Sequence, residues 1–173
     1  MSIKTHPTIG CCGIDCGLCP RYYTEGASRC PGCGGEGFEL KPPSCSFITC
    51  CIKKHGLEVC AECGKYPCRK FDKETGERDS FVTHRRARSN QRLIAEIGID
   101  AFLEQQRHRI AFLETAIEKH DDGRSKGFLC LAAALLSIDG LNESLSLADQ
   151  GENLREVLSR FAEAEGQELK LKK

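Results

Sequence analysis

Tryptophan is absent from this chain of 173 residues, methionine occurs once, and phenylalanine and tyrosine together make up 6% of positions. A segment as poor in large apolar side chains as the first seventy or so residues cannot bury enough surface to fold unaided; domains of that size need a covalent or coordinative staple. Long apolar runs are missing as well. The best one, Phe128 to Leu136, falls well short of the roughly 18 residues that cross a bilayer. The N-terminal stretch MSIKTHPTIGCCG lacks the apolar core of a secretory signal. The expectation is a cytoplasmic protein with no membrane partner, in a reducing compartment where structural disulfides are rare. Formal net charge is zero, so no global field favours nucleic acid or an anionic surface. No G-x4-G-K-[ST] phosphate loop occurs, and Asp121 and Asp122 are adjacent, so they do not form the opposed carboxylates of acid–base catalysis. No catalytic residue is assigned, and an enzyme is not expected.

Cysteine is present in excess. Twelve of the thirteen cysteines lie between positions 11 and 68, and Cys130 stands apart. Charge divides near the same border: residues 1–92 hold 15 Lys/Arg against 10 Asp/Glu, and residues 93–173 hold 10 against 15. Two regions follow, a cysteine-rich module over 1–78 and a helical region over 79–173, expected to pack together as one unit.

Within the module, Cys30-Pro-Gly-Cys33-Gly and Cys60-Ala-Glu-Cys63-Gly read as metal knuckles, and Cys16-Gly-Leu-Cys19-Pro is a third C-x2-C. In a knuckle a tight turn aims two thiolates at one metal, and the following glycine tolerates the positive φ that the turn demands. Two such pairs complete a tetrahedral four-thiolate site. The adjacent pairs Cys11–Cys12 and Cys50–Cys51 are not expected to bind one ion together, because neighbouring side chains diverge. One member of each is expected as a packed or free thiol, so Cys11 and Cys51 are secondary candidates, with His55 as a possible replacement ligand. Pairing between loops stays open: Cys30/Cys33 share a metal with Cys60/Cys63 or with Cys16/Cys19. Glycines at 32, 34, 35 and 37 and the run Lys41-Pro42-Pro43-Ser44 mark turns.

Thiolate ligands suit zinc and iron–sulfur clusters alike. The C-x3-C-x2-C run of Cys12, Cys16 and Cys19 matches the cluster motif of radical S-adenosylmethionine enzymes. Leu18 stands where an aromatic residue is usual there, and a chain this short, made of cysteine loops and helices, cannot build the barrel those enzymes use. Zinc, at about two or three ions per chain, is the expected cofactor, with an iron–sulfur redox or redox-accessory protein as the alternative.

CGIDCGLCP, CPGCGG and C-x4-C-C followed by HGLEVCAECGKYPCRKF resemble a prokaryotic family known as domain of unknown function 3795. The resemblance covers residues 9 to 71 and continues in DDGRSKGFLCLAAALL, residues 121–136. It implies small cysteine-rich, metal-binding proteins without an established activity, and the metal role for Cys12, Cys16, Cys19, Cys30, Cys33, Cys45, Cys50, Cys60, Cys63 and Cys68. Cys11 fits the pattern least well.

From Ser89 onward the spacing turns helical. Leu93, Ile94 and Ile97 form one apolar stripe; Asp100 is the expected N-cap of a helix reaching His120, with Gln105 to Arg109 as its polar surface. An all-round apolar helix is expected over 126–138 and is central to its bundle, with Cys130 as a core residue. Further helices are expected from Asn142 to Ala148 and from Asp149 through Phe161, and the tail QELKLKK is expected to fray. The fold class is mainly α, a bundle of about five helices on a loop-rich, metal-stapled module. Two surface candidates remain. Arg85, Arg86, Arg88 and Arg92 form a basic run that can meet phosphates, although no aromatic residue interleaves with them to stack bases, so nucleic acid is not expected. Arg124, Ser125 and Lys126 open a helix and can hold a small anion. The expected partner is a protein or a small anionic ligand.

Overall fold

The computed structural model describes residues 3–38, 45–71 and 78–173, so the turn expected at 41–44 lies outside the described residues. Among the described residues six helices follow one another: α1 Ser46–Ile48, α2 Ala87–Ile97, α3 Ile99–His120, α4 Lys126–Leu135, α5 Ile138–Asp149 and α6 Leu154–Ala164. Among the described residues there is no strand beyond a single bridge between Ile9 and Asp15. The cysteine module is built from 3₁₀ turns at Cys16–Leu18, Pro20–Tyr23, Gly26–Ser28 and Cys60–Glu62, and α1 continues into a π-type turn over Thr49–Lys54.

The bundle forms where apolar residues recur at helical spacing. α3 packs against α2, α4 and α5, and α5 packs against α6. Leu113 and Ala116 of α3 meet Leu129 and Ala132 of α4, Leu141 of α5 and Leu158 of α6 in one core. Each leucine so buried contributes about 2 kcal/mol relative to exposure. Residues 129 to 135 of α4 are all buried, Cys130 among them. The helix was expected to run to 138, but it ends at Leu135. Leu136 is already extended, and Ser137 then caps α5, its side chain accepting from Gly140 N. The fourth and fifth bundle helices also start later or earlier than expected. α5 opens four residues before Asn142, and α6 opens after Asn153, whose side chain accepts from Glu156 N.

Two expectations about the helical surface are corrected. Gln106 is buried rather than exposed, and Arg109 reaches inward, donating to Ala133 O at 2.8 Å and Leu136 O at 2.6 Å. It thereby satisfies carbonyls that the end of α4 leaves without helical partners. Burial pulls the Arg109 guanidinium down to about 10, which leaves it charged at neutral pH. The C-terminal tail is held rather than frayed. Leu169 and Leu171 pack on the bundle core, Arg85 donates to Glu168 O and Lys170 O at 2.8 Å each, and the Asp79 carboxylate accepts from Lys172 N at 2.9 Å.

The module docks on the bundle at two places. Leu18 enters the bundle core, and Ile9 with Val59 joins Ile94, Phe102 and Leu103 in a second cluster. These apolar contacts place the cysteine loops directly over α2 and α3.

Candidate metal centre in the cysteine module

Residues 8–15 form a tight loop, with Gly10 N donating to Ile14 O at 2.7 Å. Gly13 sits at φ 94°, and a Cβ there would lie 2.2 Å from Ala87 O, so the loop approaches the start of α2 as closely as only glycine allows. Three buried amides from the helices then hold the loop. Asn90 Nδ2 donates to Gly13 O at 2.9 Å and to Asp15 Oδ2 at 2.7 Å. Gln106 Nε2 donates to Thr8 O and to Asp15 Oδ1, both at 3.0 Å. Gln91 Nε2 donates to Cys11 O at 2.8 Å, while its Oε1 accepts from Ala61 N at 2.5 Å. Gln91 therefore joins the Cys11 loop to the Cys60 turn, and Cys60 N donates directly to Cys11 O at 3.0 Å. Sequence reading missed these amides. The available signal was their position on α2 and α3, where Gln91 precedes Ile94 by three residues and Gln106 follows Phe102 by four, at the spacing of the buried face.

The interior of the module mixes thiols with apolar and aromatic side chains. Cys11, Cys51 and Cys60 are buried with Ile48 and Phe71, and Cys33, Cys45 and Cys68 pack against them. All thirteen cysteines are free thiols. Cys11 Sγ and Cys33 Sγ lie 3.9 Å apart. The Cys33 contact pulls the Cys11 thiol down, but hydrogen bonding to Cys51 and burial prevail and push it up to about 12. Cys51 is pulled down by Cys11, yet hydrogen bonding to Cys60 and burial push it up to about 12. Cys33 is raised by hydrogen bonding to Cys11 and then by burial. Cys11, Cys51 and Cys60 share one buried cluster against which Cys33 packs, and Cys11 and Cys33 are in direct contact.

A second neighbourhood gathers the first cysteine run. Burial pushes Cys12 up to about 11 and raises Cys16 well above the ordinary range, with Cys33 and Cys12 adding to the Cys16 effect. Burial also raises Cys19, against backbone N–H groups of Arg21 and Tyr22 that favour its thiolate; the nearby Cys30 adds to the rise. Cys50, Cys51, His55, Cys60, Cys63 and Cys68 line a third feature, an apolar cavity of about 30 Å³. Cys45 lies outside it, in an open groove shared with Cys50, Lys54 and Lys70.

These donors fit a soft divalent cation by chemistry: neutral imidazole and thiolate are zinc ligands, and burial, with neighbouring thiols adding to it, opposes ionisation of Cys12, Cys16 and Cys19. A bound cation reverses that effect, because it binds the thiolate form outright. Among the described residues, no three Cys, His, Asp or Glu side chains are already arranged around one point as ligands of a single ion.

Several of the other candidates have partners within the chain. Ser125 Oγ donates to Asp122 Oδ1 at 2.8 Å, Arg124 N donates to the same oxygen, and Lys126 Nζ donates to Tyr23 O at 3.2 Å. The chain's own carboxylates therefore occupy the helix start proposed for an anion. In the basic run, Arg85 holds the C-terminal tail and Arg88 donates to Phe71 O at 2.6 Å.

Residues 8–73 match the family model described as protein of unknown function, DUF3795. The matched span ends before α2 and takes in all twelve cysteines of the module. No curated protein and no solved structure matches the chain. Among the described residues, no helix is long and apolar enough to cross a membrane.

Proposed function

We propose that this is a zinc-binding protein of the prokaryotic cytoplasm whose metals are structural and whose module serves as a binding or adaptor element. The observation that carries the reading is the make-up of the module's interior, where Cys11, Cys51 and Cys60 take the place that leucines take in the bundle. Free thiols buried side by side bring little cohesion by themselves, and a metal bound to them supplies folding free energy directly. Cys12, Cys16, Cys19, Cys30, Cys33, Cys45, Cys50, Cys60, Cys63 and Cys68 are the proposed ligand pool, with Cys11, Cys51 and His55 beside them. A closed four-thiolate shell has no open position for water, so the proposed role is binding rather than catalysis.

Metal analysis with an anaerobic absorption spectrum tests this. About two or three zinc ions per chain and no visible band are expected. Iron with matching sulfide would replace the zinc reading with a redox protein built on Cys12, Cys16 and Cys19.

A further inference from the structure

We infer that Cys11, Cys33, Cys51 and Cys60 are the four ligands of one zinc ion, with the buried ammonium of Lys4 as its counter-charge. The assignment rests on the metal-binding reading above and specifies it. It promotes Cys11 and Cys51, the two cysteines that spacing ranked lowest, and it splits both knuckles.

The geometry starts from the Cys11–Cys33 separation. At 3.9 Å the sulfurs are far beyond a disulfide bond of about 2.05 Å. Two thiolates on one tetrahedral zinc, each about 2.3 Å from the metal, stand ~3.8 Å apart. In a four-iron cluster each cysteine takes its own iron, so a pair this close suits a site where one metal carries both sulfurs better than such a cluster.

The backbone brings the other two ligands to this pair. Cys60 N donates to Cys11 O, and Gln91 bridges the Cys11 loop to Ala61, so the Cys11 and Cys60 loops are locked together. Cys51 is buried in the same cluster as Cys11 and Cys60. Its thiol donates to Leu57 O at 3.2 Å, and closing the shell means turning it from that carbonyl to the metal. Cys33 is fixed by its N–H on Pro7 O at 2.8 Å, and Gly32, at φ 84°, has no room for a Cβ against the same carbonyl. The four ligands come from four separate segments, two of them the helical turns that carry Cys51 and Cys60, so one ion ties together chain from residue 11 to residue 60.

Lys4 completes the site. It is 4% exposed, and its Nζ donates at 2.5 Å to the carbonyl of Ile9, two residues before Cys11. Its backbone is pinned to the knuckle, with Ile3 N and Lys4 N both donating to Gly34 O. Zinc with four thiolates carries a net charge of about −2, and a buried net charge needs an opposite one nearby.

The test uses the full chain loaded with cadmium-113 and proton–cadmium correlation spectra, which report the cysteines that share each ion. One cadmium resonance coupled to the Hβ protons of Cys11, Cys33, Cys51 and Cys60 is expected. Bound cadmium without coupling to Cys11 and Cys51 overturns this ligand set while leaving metal binding intact. Failure to bind either zinc or cadmium overturns both readings. For Lys4, K4M is expected to lose the ion from this site to a chelator about tenfold faster, the scale for losing a supporting partner of a metal ligand. K4R is expected to retain the wild-type rate. Equal rates for all three proteins overturn the role of Lys4.

Discussion

In the helical half, Leu113, Leu129, Leu141 and Leu158 meet at the centre of the bundle, whereas the interior of the cysteine module is Cys11, Cys51 and Cys60 with Ile48 and Phe71. The first interior coheres by removing apolar surface from water and needs nothing else. The second mixes apolar side chains with smaller thiols, and burial opposes the ionisation of the thiols around Cys12 and Cys16. The two halves nevertheless share a seam. Leu18 plugs the bundle core, Ile9 and Val59 cover Ile94 and Phe102, and three helical amides hold the loop that carries Cys11 and Cys12. The bundle thus acts as a template for the loops.

The largest expected effect breaks the comparison outright. Stripping metal from the reduced protein with a chelator is expected to abolish hydrogen-exchange protection across residues 8–38 and 45–71 while α3 to α6 keep theirs. A module that keeps full protection after chelation would show that its interior suffices without metal.

Next in size is the seam. G13A places a methyl group against Ala87 O at a positive φ, and is expected to cost about 3 kcal/mol or more from strain and displaced backbone together. Urea denaturation measures this, and a cost below about 1 kcal/mol would mean that the loop can lift from α2 freely. Removing the clamp alone should do somewhat less. Q91A leaves Ala61 N without an acceptor and Cys11 O with only the Cys60 N–H, and an expected loss of about 2 kcal/mol follows from the orphaned N–H and the two lost hydrogen bonds. Exchange protection lost at 8–15 and 60–62, with α4 to α6 unchanged, would locate the effect in the module.

The smallest effect lies on the bundle side and serves as the control. Burial alone would raise the Asp79 carboxyl, but the N–H groups of His84 and Lys172, the Thr83 hydroxyl and Arg85 outweigh it and hold it below the ordinary range. With the folded value depressed, its contribution is complete above the unfolded value of about 3.9 and disappears as pH falls through the folded value. D79N is therefore expected to be less stable than wild type at pH 6, by about 1 kcal/mol, and the difference should shrink below pH 4. Urea midpoints at the two pH values check this, and a gap that persists at low pH would assign the effect to something other than the ionised carboxylate.

Much of the bundle was legible because periodicity is local. The stripe Leu93, Ile94, Ile97 and the uniform apolarity of 128–136 mark helices from short-range spacing alone. The ends were less legible. Gly140 lies inside α5, where propensity argues against it, and the Ser137 side chain that caps the helix through Gly140 N decided the start instead. At the site, cysteine spacing announced thiol chemistry but not partnership. Cys11 meets Cys33 across 22 residues, and the amides that organise the loop act across 77, 80 and 91 to 98 residues. Nothing in local spacing encodes such contacts. The same distance explains the misread tail, whose order depends on Asp79 and Arg85.

The sequence by itself determined that there are two kinds of interior, because composition and short-range period set what each segment can bury and what its thiols can bind. Only the tertiary structure decided which thiols are neighbours, that Lys4 is buried beside them, and that Gln91 ties Cys11 to the turn at Cys60. The reason is physical: a ligand set is a property of side chains converging in space, and that convergence is arranged by docking the loops on α2 and α3.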